Sequence, residues 1–393
     1  MGLTRSGRTL LLGVVALVVV ARFLGTLELY LLAGMAMVAV VAAFLLTVTR
    51  RLRLRIDRQV SPSRVRAGVP ARVDLTVENE GSRASPVLRI LDRVGDGPGG
   101  NLLLAPLRRS ATTTISYALP TARRGPLAIG PLELTHGDPL GLASATIVGA
   151  PRAEVLVFPS LVDLAPLRAG SGTLTGSDRQ VVRSVAPSGD EFFALRPYVL
   201  GDELRRVHWR NSARTDELVV RQEERPRQGQ VVVVLDVRRD GYDEPGFERA
   251  VSAADSALHA AWAGGDVVRF LTSNGGDSGP ITQRSQLDAI EERLARVAVT
   301  SAASVVRTVE DATRSTTGGS LVLITGHVVQ DTIGVATRAR RTFGAVVVIT
   351  TQAREDPPPG VLVHDGTCDL ASQWLRHLHR DRSLAGEGRL VSR

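Results

Sequence analysis

Gln230-Val231-Val232-Val233-Val234-Leu235-Asp236 is apolar from its second to its sixth residue and closes on a carboxylate. A run of strand length with no alternation has no face meant for water, which is the pattern of a strand inside a parallel sheet covered on both sides by helices. The downstream residues agree. Residues 247–263 place alanine and leucine on one helical face and stop at Gly264-Gly265. Strands are predicted over 267–272, 320–325, 345–350 and 361–364, with helices over 286–297, 303–313 and 332–342 between them. Strands alternating with helices imply a doubly wound parallel α/β domain over 229–393. Ligands of such sheets sit at the carboxyl ends of the strands, which directs attention to Asp236, Ser273 and Thr325.

Immediately upstream lies the densest segment of the chain, GDEFFALRPYVLGDELRRVHWRNSARTDELVVR, from Gly189 to Arg221. Its two Gly-Asp steps mark turns, since glycine accepts positive φ and aspartate bonds the backbone just ahead of it. From Asp202, a plausible N-cap, the pattern is helical, with Leu204, Val207, His208 and Asn211 on one face; Leu218, Val219 and Val220 then read as a strand. Gly189, Asp190, Phe192, Leu195, Arg196, Tyr198, Gly201, Asp202, Arg205, His208, Trp209, Ser212, Ala213 and Arg214 together form a run that resembles the signature of the family known as domain of unknown function 58. Arg123-Arg124-Gly125, Gly130-Pro131 and Asp138-Pro139-Leu140-Gly141-Leu142 resemble a second, weaker signature of that family, with Leu140 where phenylalanine is usual. The resemblance implies a membrane-anchored protein with a von Willebrand factor type A-like domain and a MoxR-type AAA+ ATPase as partner.

In the type A fold the first strand ends Asp-x-Ser-x-Ser, and that carboxylate and its two hydroxyls coordinate magnesium. Here the five residues are Asp236, Val237, Arg238, Arg239 and Asp240, so both hydroxyl positions are lost. Arg238 brings a positive charge to the place of the cation, so the site reads as degenerate, Asp236 being a carboxylate paired with a local arginine. Arginines pair carboxylates bidentately, which makes Arg238 and Arg239 candidates for docking an acidic partner.

Three other patterns imitate sites. Gly276-Asp277-Ser278-Gly279-Pro280 is similar to a serine-protease nucleophile loop but lacks one glycine, and a Gly-Ser turn is expected. His377 and His379, two apart, fall on different faces of a helix and do not share a metal. His208 with Asp202 or Asp190 is the one combination that would suit a hydrolase, as general base and orienting carboxylate, although six residues separate Asp202 from His208, more than a helical turn.

Between about 56 and 155 short alternating runs are broken by Gly, Pro and Asn. Val73, Leu75 and Val77 point inward and Glu78-Asn79-Glu80-Gly81 reads as a hairpin-grade stop; runs at 87–91, 112–118, 127–134 and 144–148 repeat the spacing. The expected product is an immunoglobulin-like β-sandwich, with Asp138-Pro139 as a structural turn, followed by a flexible linker over 156–188 and the signature segment over 189–228.

Residues 1–55 read as a transmembrane hairpin with spans of about 9–27 and 29–49. A signal peptide is the competing reading of the first span, but the second begins too soon to leave a sensible cleaved product. Arg5 and Arg8 precede the hairpin, Arg50, Arg51, Arg53, Arg55 and Arg58 come after it, and the turn near Glu28 carries almost no positive charge. The positive-inside rule then puts both ends, and the soluble domains, on the cytoplasmic side of the plasma membrane.

All 48 basic residues are arginine, against 40 acidic ones, over 393 residues. Without lysine there is no P-loop lysine, Schiff-base lysine or Ser-Lys dyad. Arginines spread along every segment, with aromatics at only 4%, do not make a nucleic-acid surface. The single cysteine, Cys368, excludes an internal disulfide and a Cys-rich zinc site. The sequence therefore points to a non-enzymatic, cofactor-free membrane adaptor.

Overall fold

The structure, a computed structural model, describes residues 2–50, 52–166, 192–197, 212, 219–223, 229–316, 318–352 and 360–387. They form two compact units, Met1–Ser160 with Glu291–Val297, and Leu161–Ile290 with Ala298–Arg393.

The first unit opens with two helices, α1 (Arg5–Leu24) and α2 (Leu27–Thr49), joined by a two-residue turn. Both are long and apolar enough to cross a membrane. Their large side chains face outward, with Phe23 85% and Met35 70% exposed. The hairpin is seated on a body of two sheets. The strands β2 (Leu54–Ser61), β4 (Ala71–Asn79) and β7 (Thr112–Leu119) make one sheet in the order β2-β4-β7. The other is built on the long β8 (Gly125–Gly137), which pairs with β5 (Leu88–Val94), β9 (Ala143–Ala150) and β10 (Ala153–Phe158). Around these lie β1 (Gly2–Leu3) on β9, β3 (Val65–Arg66) on β10 and β6 (Gly97–Leu104) on β5. Val73, Leu75 and Val77 of one sheet share a single buried cluster with Leu88, Ile90, Ile129, Leu132 and Leu134 of the other, so the two sheets form a sandwich.

Residues 78–81 differ from expectation. They do not close a hairpin: β4 pairs with β2 and β7, and the chain leaves Asn79 for β5 in the opposite sheet. Buried Asn79 explains the stop, because its Nδ2 donates to Arg83 O and Leu107 O (both 2.9 Å) and pins the crossing. Asp138-Pro139 is a turn: its carboxylate accepts Leu140 N at 2.8 Å and Ala143 N at 2.6 Å. That turn holds the start of the hairpin. Thr4 N donates to Leu142 O at 2.9 Å, Thr4 Oγ1 donates to Gly141 O at 2.6 Å, and Val40 and Ala43 of α2 pack with Leu142 and Ala143. A Cβ on Gly7 would lie 2.1 Å from Leu142 O, so only glycine lets α1 approach this closely.

The expected linker is structured where it is described. Residues 153–158 are β10, Val162 N donates to Ser256 Oγ at 2.9 Å, and Ala165 O accepts Nε1 of the fully buried Trp374 at 2.8 Å. Residues 167–191 lie outside the described ones.

In the second unit, β11 (Phe192–Pro197) and β12 (Val219–Glu223) form an antiparallel pair; the second is the strand expected at 218–220, and the first was not anticipated. Six strands make the main sheet: β13 (Gln230–Leu235), β14 (Val267–Thr272), β15 (Asp277–Ile281), β16 (Ser320–Thr325), β17 (Ala345–Thr350) and β18 (Val361–Val363). Their order is β15-β14-β13-β16-β17-β18, all parallel except the edge strand β15. Residues 277–281 are thus a strand, not part of a Gly-Ser turn, and the Arg269 guanidinium meets Asp277 at 2.6 Å across the pair. The helices are α3 (Glu244–Ala263), α4 (Arg284–Arg296, whose residues from Glu291 onward count with the first unit), α5 (Val305–Ser315), α6 (Gln330–Ala339) and α7 (Leu370–Glu387). Val232, Val234, Leu321 and Leu323 pack with Val305, Val309, Val335 and Ala339 from α5 and α6 on one face. Their neighbours Val231, Val233, Val322 and Ile324 are equally buried, as period-two alternation between two covered faces requires.

Candidate functional site

The chain runs from β13 to β14 on one side and returns to β16 on the other, so the carboxyl end of β13 is the switch point of the sheet. Asp236 stands there, fully buried. Ser273, just past β14, donates its hydroxyl to Asp236 Oδ1 at 3.1 Å, and Thr325, the last residue of β16, donates to Oδ2 at 2.9 Å. The three strand-end residues that the sequence singles out are therefore one cluster.

The rest of the carboxylate belongs to Arg238. Its backbone N–H donates to Oδ1 at 3.0 Å, Nε lies 3.1 Å from both oxygens, and Nη2 donates to Oδ2 at 2.8 Å. This planar fork matches a carboxylate well. The hydrogen bond to Asp236 raises the Arg238 pKa further, so the guanidinium keeps its charge. The loop carrying Arg238 is fixed as well: Arg239 N donates to Thr300 O at 2.9 Å and Thr300 N to Val237 O at 2.7 Å. Tyr242 donates its hydroxyl to Asp236 O at 2.9 Å, and burial pushes its pKa well above the ordinary tyrosine value. A Cβ on Gly326 would fall 1.7 Å from Gly241 O, so this glycine permits the close approach of the two loops.

A magnesium ion, which the type A resemblance implies at this place, does not fit the donor set. The guanidinium covers the carboxylate face where a divalent cation would bind, and the hydroxyls of Ser273 and Thr325 point at Asp236 as donors. Of the two arginines singled out for docking, Arg238 directs its guanidinium inward to Asp236, whereas Arg239 is exposed and makes no ion pair among the described residues. Sequence reading missed Tyr242, Thr300 and Gly326, because no motif marks a residue that acts on a loop through contacts with its backbone.

Of the signature residues, Phe192, Leu195 and Arg196 fall in β11, and Ser212 is helical. Gly189, Asp190, Tyr198, Gly201, Asp202, Arg205, His208, Trp209, Ala213 and Arg214 lie outside the described residues, and with them the His208 combination. His379 likewise lies outside those whose side chains are described.

The molecule thus defines a class: two apolar N-terminal helices, a β-sandwich, and an α/β domain whose switch-point carboxylate is closed by an arginine. Residues 194–352 match the family described as protein of unknown function DUF58. That span contains Asp236, Arg238, Ser273 and Thr325. No curated protein matches. Among solved structures, a CARDB domain from Pyrococcus furiosus is 14% identical, covering 27% of this chain and 86% of its own, with a TM-score of 0.21. A β-glucosidase from Paenibacillus barengoltzii is 12% identical, covering 43% of this chain and 22% of its own, with a TM-score of 0.14.

Proposed function

We propose that this protein is a membrane-anchored, non-enzymatic adaptor. In this reading the hairpin spans the plasma membrane with both ends cytoplasmic, the sandwich is an immunoglobulin-like spacer, and the α/β unit is a degenerate type A-like domain that docks an acidic protein, a MoxR-type AAA+ ATPase. The observation that carries it is the closure of Asp236: Arg238, Ser273 and Thr325 take up its oxygens, so the switch point offers a substrate neither a free base nor a cation. The outward apolar faces of α1 and α2 support the anchor, since a core helix of a soluble protein hides most of its surface. Arg239, exposed beside the closed site on a loop held by Thr300, is a cation placed to meet a partner carboxylate.

The test is Arg239→Glu in the full chain. It should weaken co-purification of the ATPase from native membranes, and wild-type association should weaken as salt rises, because exposed charge pairs are screened. Full retention of the ATPase by the folded variant, at low and high salt alike, would remove the docking surface.

A further inference from the structure

A cavity of about 480 Å³ opens in the first unit beside the end of α2. Arg50, Arg89, His136, Asp138, Val87 and Leu103 line it. Arg50 is the residue directly after α2, and Arg89 is an exposed residue of β5; neither has an ion-pair partner among the described residues. His136 is 2% exposed, and its Nδ1 meets no hydrogen-bond partner among the described residues. A buried ring nitrogen left without a partner is uncommon enough to ask for one. Burial first, then the charge of Arg50, hold the His136 pKa below its ordinary value, so the ring is neutral near pH 7 and does not repel the arginines. Asp138 supplies the opposing charge, but both its oxygens accept backbone N–H groups of its own turn.

We propose that this cavity binds the headgroup of an anionic glycerophospholipid, its phosphate between Arg50 and Arg89 and a headgroup oxygen within reach of His136. The proposal rests on the membrane reading of the hairpin, which puts Arg50 at the level of the headgroups. Two cations against one committed carboxylate favour an anion, and arginine suits the planar, two-point pairing that phosphate oxygens offer. Apolar walls decide for lipid over free phosphate: Val87 is 54% and Leu103 70% exposed, and glycerol and acyl carbons would cover them.

The experiment uses the full chain in detergent, titrated separately with dioctanoyl phosphatidylglycerol, dioctanoyl phosphatidylcholine and inorganic phosphate, with adducts counted by native mass spectrometry. One saturable phosphatidylglycerol adduct is expected. Phosphatidylcholine should bind roughly tenfold more weakly, and Arg89→Gln and Arg50→Gln should each weaken phosphatidylglycerol about tenfold, the size of one lost charge-assisted hydrogen bond. Both arginines are exposed, so the variants should keep the wild-type Tm. Equal uptake of the two lipids, or unchanged binding by both variants, would overturn the site; phosphate bound as tightly as phosphatidylglycerol would make it a free-anion site and overturn the lipid. Carbonate extraction of native membranes tests the hairpin by itself. A chain that washes off would end the membrane reading, whatever the short-chain lipids do.

Discussion

The guanidinium of Arg238 turns back onto the carboxylate of Asp236, two residues earlier, and covers the carboxyl end of the central strand with an ion pair whose acidic half is fully buried. Removing one partner of such a pair strands the other charge away from water. Arg238→Ala should therefore destabilise the second unit by about 3 kcal/mol, the lower end for a broken buried pair, because Ser273, Thr325 and one backbone N–H still hold Asp236. Magnesium should leave the wild-type Tm unchanged, since only binding to the native state raises it. Arg238→Ser, which frees the carboxylate face, should gain a magnesium-dependent rise. Thermal unfolding of both variants with and without the ion checks this, and a rise in the wild type would reinstate the metal site.

A second buried charge lies in the sandwich. Asp92 is fully buried, accepting from Arg58 Nη2 at 2.8 Å and from the Tyr117 hydroxyl at 2.7 Å. Only 9% of the Arg58 side chain is exposed, so Asp92→Ala should cost about 3–5 kcal/mol by leaving a buried guanidinium uncompensated. Tyr117→Phe leaves the ion pair intact and should cost about 1 kcal/mol. Equal losses in the two variants, measured by denaturant unfolding, would show that the arginine does not depend on the carboxylate.

Stability should also carry a pH signature from Asp266. Burial pushes its pKa up to about 6, and Oδ2 has no hydrogen-bond partner among the described residues. In the unfolded chain an aspartate titrates near about 3.9. The folded pKa is the higher one, so this group's contribution is present in full below about pH 4 and is lost as pH rises through about 6. Asp266 is half-buried, so the discounted effect is about 1 kcal/mol. Asp266→Asn should raise the Tm near pH 7 and leave it unchanged near pH 4; a gain of equal size at both values would assign the effect to packing.

The sequence made the α/β unit legible because each central strand is covered on both faces, and Val231 to Leu235 and Leu321 to Ile324 show it as unbroken apolar runs. The Asp236 cluster was legible for the same reason, since strand ends can be counted once the strands are found. The strands β2, β6 and β15 were not. Arg55, Asp57 and Gln59 alternate outward in β2, Gly97, Gly99 and Gly100 dilute β6, and β15 is an edge strand of five residues with Gly279 and Pro280 inside it. Crossing between sheets at Asn79 could not be read either, because a stop signal does not say which sheet the chain enters next. The cavity at His136 left no trace in the sequence: its lining comes from four separated segments that only pairing brings together.

The hairpin yields the last prediction, because its two ends meet one turn of the sandwich. Thr4 hydrogen-bonds to Gly141 and Leu142, and Val40 and Ala43 pack on Leu142 and Ala143, so the start of α1 and the latter half of α2 lie on the sandwich side. If the helices cross the membrane, the sandwich must share a side with both ends, and Arg5, Arg8, Arg50, Arg53 and Arg55 select the cytoplasm for it. A reporter active only outside the cytoplasm should stay silent when fused after Arg393 and work when inserted between Gly25 and Thr26. Gly7→Val should leave that topology intact but lower the Tm of the first unit, since its Cβ would strike Leu142 O, an overpacking that costs about 1–3 kcal/mol. An active fusion after Arg393 would reverse the orientation, and an unchanged Tm in the valine variant would show that the hairpin does not depend on its seat on the sandwich.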